Sequence, residues 1–121
     1  MIAGAHVLIY SADADATRTF FRDVLGWKSV DAGDGWLIFA LPPAELGVHP
    51  AGDEAPSGTH QLLFMCRDLE QTVADLKQRG AEFADEISDE GFGRLINLKV
   101  PGADVIGLYE PKHASPLAKF G

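Results

Sequence analysis

The sequence of 121 residues has only one cysteine, Cys66, so it cannot form an internal disulfide. No apolar run approaches the roughly 20 residues that a membrane-spanning helix needs, and no basic start precedes a long apolar segment at the beginning. We therefore expect a cytoplasmic protein without a signal peptide or a membrane partner. Positive charge is also scarce: 10 Lys and Arg oppose 18 Asp and Glu, and the net charge of -8 disfavours a nucleic-acid partner.

The chain does contain an internal repeat. His6 opens the apolar run HVLIY and His60 opens HQLLFMC, and both runs have the length and composition of buried strands. A helical pattern follows each run and ends near Gly26 or Gly80, so histidine and glycine recur 54 residues apart in both cases. Before the helices, Asp13 or Asp15 and then Asp68 are predicted N-caps.

Three further strand patterns follow each predicted helix. They are WKSVDAG, GWLIFALP and ELGVHP in the first half, and AEFADEIS, GRLINLKVP and DVIGLYEP in the second. The sequence therefore predicts one domain over 1–121 with a strand–helix–strand–strand–strand module written twice. Module one covers about 5–50, a linker 51–59, module two about 60–111 and a tail 112–121, and His113 in this tail receives no role.

The first module carries a further signature: an aspartate, a hydroxyl residue, an aromatic pair and Leu-Gly. These residues are Asp13, Thr17, Phe20, Phe21, Leu25 and Gly26. With the duplicated pattern, the signature resembles the vicinal oxygen chelate superfamily of glyoxalase I, bleomycin resistance proteins, extradiol dioxygenases and fosfomycin resistance proteins. The resemblance covers about 5–111 and implies an α+β fold in which two βαβββ modules form a curved mixed sheet around a cleft.

The resemblance also implies where a divalent metal ion would bind. Metal-using members take ligands from the first and last strands of each module, which correspond to His6 and His60 and to Gly47 and Gly107. Glycine has no ligand atom, so half of the usual set is missing, which argues against a standard glyoxalase I. The two glycines permit close approach of a backbone or a ligand instead.

Two hypotheses for the cleft stay open. Strand alternation places Glu45, Gly47 and His49 on one face, so His6, His60 and Glu45 form a candidate shifted site for Zn, Fe, Mn or Ni. In that lyase, isomerase or dioxygenase, Glu45 or His49 would move the proton on a small vicinal-oxygen substrate. Alternatively, the cleft holds no metal and sequesters a small aromatic or cationic compound, as in bleomycin resistance proteins.

Aromatic residues and one arginine are candidate ligand contacts. The set is Tyr10, Trp36, Phe64, Phe92, Arg94 and Tyr109. The aromatic rings also suit a plain core, and Arg94 suits either an anionic ligand group or a surface ion pair. The loop DEGFGRL suits either closure over a ligand or a hairpin turn. Apolar helix faces and exposed sheet edges favour a homodimer.

Overall fold

The structure is a computed structural model that describes residues 6–117; the remaining ends of the predicted module one and tail lie outside this range. The elements are α1 Ala14–Asp23, β1 Ser29–Asp31, β2 Leu37–Phe39, β3 Leu63–Met65, α2 Leu69–Gln78, β4 Ser88–Asp89, β5 Gly93–Lys99 and β6 Val105–Pro111. This arrangement confirms the α+β class. Within the described range, no helix is long and apolar enough to cross a membrane.

The second module forms a mixed four-stranded sheet in the order β3-β6-β5-β4. Strand β3 runs parallel to β6, with Leu63 opposite Gly107, and the other two pairings are antiparallel. In the first module, β1 and β2 form a separate antiparallel pair. The loop DEGFGRL is the turn between β4 and β5, closed by a hydrogen bond from the Glu90 amide to the Gly93 carbonyl at 2.8 Å.

Both helices begin at predicted caps. The Asp13 carboxylate accepts from the Ala16 amide at 3.1 Å, and the Asp68 carboxylate accepts from the Gln71 amide at 3.1 Å. Each such cap stabilises a helix by about 1 kcal/mol. Of the two candidates at the first helix, Asp13 is therefore the cap.

The core lies between the two helices and one face of the sheet. Its buried apolar residues are Phe20, Phe21, Leu69, Val73, Leu76, Ala81, Ile96, Leu98, Val100, Ile106 and Leu108. The apolar stripes of α1 and α2 pack here, as their helical spacing predicts. The helices thereby cover one face of the sheet.

The strand predictions for 6–10 and 45–50 are wrong for this single chain, in which both segments lie outside the sheets. Their side chains are exposed, with Tyr10 at 89% and Leu46 at 90% of their full accessibility. A strand needs a hydrogen-bonding neighbour, and Pro42, Pro43 and Pro50 around the second segment offer no amide donor. Within the described residues, the first module therefore forms a two-stranded sheet, whereas the second module forms a four-stranded sheet.

The predicted strand over 81–88 is also largely absent. Only Ser88–Asp89 and an isolated bridge between Phe83 and Leu98 pair with β5. Between them, the Asp85 carboxylate accepts from the backbone amide and the side-chain amide of Asn97, both at 2.8 Å. A side chain thus satisfies the backbone donor that a strand carbonyl would otherwise take.

The turn between β5 and β6, in the second module, forms hydrogen bonds with residues of the first module. The Ala12 amide donates to the Gly102 carbonyl at 2.7 Å, and the Thr17 hydroxyl donates to the Pro101 carbonyl. The hydroxyls of Ser11 and Thr17 lie 2.8 Å apart. These bonds hold the start of α1 against the second module's sheet.

Candidate functional site

The four-stranded sheet has two faces of different character. Phe64, Ile96 and Leu108 project toward the helices and contact the core. The opposite side chains form what we call the open face: Leu63, Met65, Leu95, Asn97, Gly107 and Tyr109. Among residues 6–117, no helix covers this face, which is mostly apolar and has few polar groups. Such a lining is typical of sites for small organic molecules.

Gly107 lies at the centre of the open face, and apolar atoms fill the space beside it. A Cβ atom on Gly107 would collide with Leu63 Cδ2 and would lie 3.3 Å from Leu95 Cδ1. A carboxylate side chain at this position would therefore displace leucine side chains and meet an apolar surface. Leu63 therefore packs directly against the Gly107 backbone and would have to shift for any larger residue at this position.

Tyr109 is the principal polar group of the open face and is buried. Its ring lies over Gly93, where an added Cβ atom would collide with it, and beside Phe92 at a centroid distance of 5.9 Å. Burial raises the pKa of the Tyr109 phenol, and the negative charge of Glu45 raises this pKa further. The phenol therefore stays neutral at neutral pH and is available as a hydrogen-bond donor or acceptor.

We expect this pKa shift to appear in the stability of the fold. The unfolded chain loses the Tyr109 proton from about pH 10, before the folded chain does. The stabilisation is therefore complete below that pH and disappears as the pH rises through the raised folded pKa. Denaturant unfolding from pH 8 to 11 should show a smaller alkaline loss for Tyr109→Phe than for wild type.

Glu45 lies next to Tyr109, at one end of the open face. Its side chain is only 15% exposed. One carboxylate oxygen accepts from Ser115 Oγ at 2.7 Å, and the other lies 3.3 Å from His113 Nε2. The His113 ring also lies beside Tyr109, with centroids 5.9 Å apart. Sequence reasoning missed His113 and Ser115, because the tail has no periodic pattern that indicates a contact.

Two of the predicted ligand contacts lie on the helix side of the sheet. Phe64 packs edge-on against Trp27 at a centroid distance of 4.8 Å. Arg94 pairs with Glu70 at 2.6 Å and lies 3.6 Å from Glu110. In this structure neither side chain joins Tyr109 on the open face.

The other predicted contacts are exposed. Tyr10 lies on an unpaired segment, and Trp36 is 61% exposed with the Arg18 guanidinium 4.7 Å from its ring centroid. Phe92 is 52% exposed but reaches Tyr109, as described above. Of the predicted set, the structure therefore brings together Tyr109, Phe92 and Glu45.

The predicted metal ligands do not assemble in the single chain. His6, His49 and His60 are exposed, and residues 6–117 contain no group of three or more His, Cys, Asp or Glu side chains that could hold a metal ion. The last-strand position at Gly107 is filled by leucine carbon atoms. Within residues 6–117 of the single chain, the predicted ligands are therefore not brought together.

Comparison with protein families gives one clear result. A profile of the glyoxalase/bleomycin resistance protein/dioxygenase superfamily matches residues 4–111, which is nearly the whole chain. The search of curated proteins finds no significant match.

Solved structures show the same fold. An antibiotic binding protein from a Streptomyces species, TnmS3, is 24% identical with a TM-score of 0.61, covering 93% of this chain and 100% of its own. A superfamily member from Sphaerobacter thermophilus is 21% identical with a TM-score of 0.63, covering 90% and 98%. A lactoylglutathione lyase from Agrobacterium tumefaciens is 20% identical with a TM-score of 0.55, covering 84% and 88%. At these identities the likeness concerns the fold, which hosts both binding and catalysis.

Proposed function

Because this chain belongs to the glyoxalase/bleomycin resistance protein/dioxygenase superfamily, we propose that it binds a small planar organic molecule on its open face without a metal ion. The observation that carries the proposal is the packing at Gly107. Leu63 and Leu95 occupy the space beside Gly107, the position to which the resemblance assigns the carboxylate ligand of metal-using members.

The composition of the open face supports an aromatic or cationic ligand. Tyr109 and Phe92 supply ring faces, and Glu45 supplies a negative charge at one end. Aromatic faces attract cations and other rings, and a carboxylate of low exposure favours a positively charged or hydrogen-bond-donating group. The fold likeness to an antibiotic binding protein agrees with this chemistry but does not identify the ligand.

A ligand panel read by amide chemical shifts tests this proposal. Planar aromatic cations, neutral aromatics and small dicarbonyl compounds would be titrated into the 15N-labelled protein. We expect saturable shifts at Leu63, Leu95 and Tyr109 for the planar compounds. Shifts confined to residues away from the open face, or none with any compound, would contradict the proposal. Conversion of a dicarbonyl compound to product would instead favour the lyase or isomerase hypothesis, with Glu45 or His49 as the proton acceptor.

We further propose that the chain functions as a homodimer. The segments 6–10 and 41–50 expose apolar side chains that the single chain does not cover, including Tyr10 at 89%, Leu46 at 90% and Val48 at 88%. Exposed apolar surface of this extent is typical of protein interfaces. A second copy, offering the same segments in a symmetric arrangement, would cover them.

Sedimentation equilibrium measures the predicted association. At micromolar concentration we expect twice the chain mass of 13.0 kDa. The double variant Leu46→Glu/Val48→Glu should sediment as a monomer, because it places charges in the proposed interface. Glu54→Gln, at an exposed linker residue, should leave the mass unchanged. A wild-type mass of one chain would refute the dimer.

A further inference from the structure

The open face is partly covered by the chain's own C-terminal segment, residues 112–117. This segment leaves β6 and stays close to the sheet: the Lys112 amide donates to the Phe92 carbonyl at 3.0 Å. The Lys112 ammonium contacts both carboxylate oxygens of Asp89, at 2.6 and 2.7 Å. The following residues then reach the Glu45 end of the open face.

His113 and Ser115 make contacts there that a small ligand could make equally well. The His113 ring packs beside the Tyr109 ring and brings Nε2 to 3.3 Å from the Glu45 carboxylate. Ser115 donates its hydroxyl proton to the same carboxylate at 2.7 Å. A planar ring, a ring nitrogen and a hydroxyl therefore already occupy the position where Tyr109 and Glu45 meet.

The segment is attached by contacts that solvent can replace. The side chains of His113 and Lys112 are 43% and 45% exposed, and that of Asp89 is 61% exposed. Exposed ion pairs contribute little net stability. None of the residues 112–117 is buried, and the core of the fold lies on the other side of the sheet. The segment can therefore leave without disturbing the core.

We propose that residues 112–117 are an internal ligand that blocks the site, and that an incoming ligand displaces His113 and Ser115. This inference rests on the proposed function and adds two properties to it. The segment competes with the ligand, and the ligand carries a planar ring for Tyr109 together with an N–H or O–H donor for Glu45. The planar ring and the donor are required of the ligand because the segment now presents the His113 ring to Tyr109 and the Ser115 hydroxyl to Glu45.

Imidazole binding to a variant without the His113 ring tests the proposal. The chain has two tyrosines, Tyr10 and Tyr109, so 3-fluorotyrosine labelling gives two 19F signals, which Tyr10→Phe assigns. In His113→Ala, imidazole at about pH 6, where it is a cation, should shift the Tyr109 signal saturably at millimolar concentration. Wild type should bind imidazole about tenfold more weakly, because its own ring occupies the position. The Tyr10 signal, from a residue that lies outside the sheet, should not move.

Matched probes and variants separate the requirement for a planar ring from the requirement for a hydrogen-bond donor. The cation 1,3-dimethylimidazolium has the same ring but no N–H donor, so it should bind His113→Ala about tenfold more weakly than imidazole does. Glu45→Gln/His113→Ala should lose affinity for imidazole to a similar extent. Pro116→Ala, which alters the segment but not its contacts with Glu45, should bind imidazole as weakly as wild type. If His113→Ala does not fold, the same titration with Ser115→Ala replaces it and should show tighter binding than wild type.

The outcomes distinguish this inference from the proposed function. Equal imidazole affinity in wild type and His113→Ala would overturn the blocking role, and equal affinity for the two cations would overturn the donor requirement. If imidazole gives these equal affinities while planar compounds of the panel bind wild type on the open face, the blocking segment is wrong and the proposed function stands. If no compound binds either protein, the proposed function is wrong as well.

Discussion

Replacing Gly102 by alanine should lower the free energy of unfolding by about 3 kcal/mol. Gly102 has φ +79, and an added Cβ atom would lie 2.5 Å from Ser11 Oγ and 2.7 Å from the Asp13 carbonyl oxygen. The serine can rotate away, but the backbone carbonyl begins α1 and cannot move without its helix. Thermal or urea unfolding of Gly102→Ala measures the loss.

Gly91 provides the matched control for this substitution. It has the same φ of +79, but no atom lies within 4 Å of its added Cβ position. Gly91→Ala therefore reports the conformational cost alone, which is about 1 to 2 kcal/mol. Equal losses for the two variants would show that the start of α1 does not pack against Gly102 as described.

The second large effect is expected from Gly107→Glu, which places a carboxylate at the last-strand position. The new side chain would meet Leu63 and Leu95 and leave a charge among apolar atoms. We expect a loss of about 3 kcal/mol or more in unfolding free energy and no stoichiometric zinc binding. Gly107→Ala should cost less, because a small shift of the Leu63 methyl group can accommodate one carbon atom.

The Leu63→Ala background shows whether crowding by Leu63 is the cause. Gly107→Glu should cost less in Leu63→Ala than in wild type, because the colliding methyl group is gone, and a double-mutant cycle measures the difference. If Gly107→Glu is instead as stable as wild type and binds zinc with His60, the position is a metal-ligand position that has only lost its carboxylate. That result would favour the metalloenzyme hypothesis.

The parts of the fold that depend on local chemistry were predictable from the sequence. Asp13 and Asp68 cap their helices through hydrogen bonds to amides three residues away, so the pattern contains the whole interaction. The strand predictions for 6–10 and 45–50 failed because their outcome does not depend on local chemistry alone. A strand requires a neighbour, and apolar composition does not show whether the neighbour lies in the same chain.

The candidate site shows the same limit. Strand alternation pointed to Tyr109, which lies on β6, and to Glu45, which lies close to Tyr109 although the predicted strand at 45–50 is absent. His113 and Ser115 reach Glu45 from about 70 residues along the chain, and no periodic pattern marks a contact of that range. For Arg94 the sequence left two alternatives open, and the structure shows an ion pair with Glu70 on the side away from Tyr109.

The most direct test of metal-free binding on the open face is the affinity for a planar aromatic cation with and without a metal chelator. Isothermal titration calorimetry would be performed on protein purified without an affinity tag, first as purified and then after dialysis against EDTA. We predict the same dissociation constant in both states and no change on adding Zn, Mn, Fe or Ni. Binding that disappears with EDTA and returns with one of these metals would contradict the account.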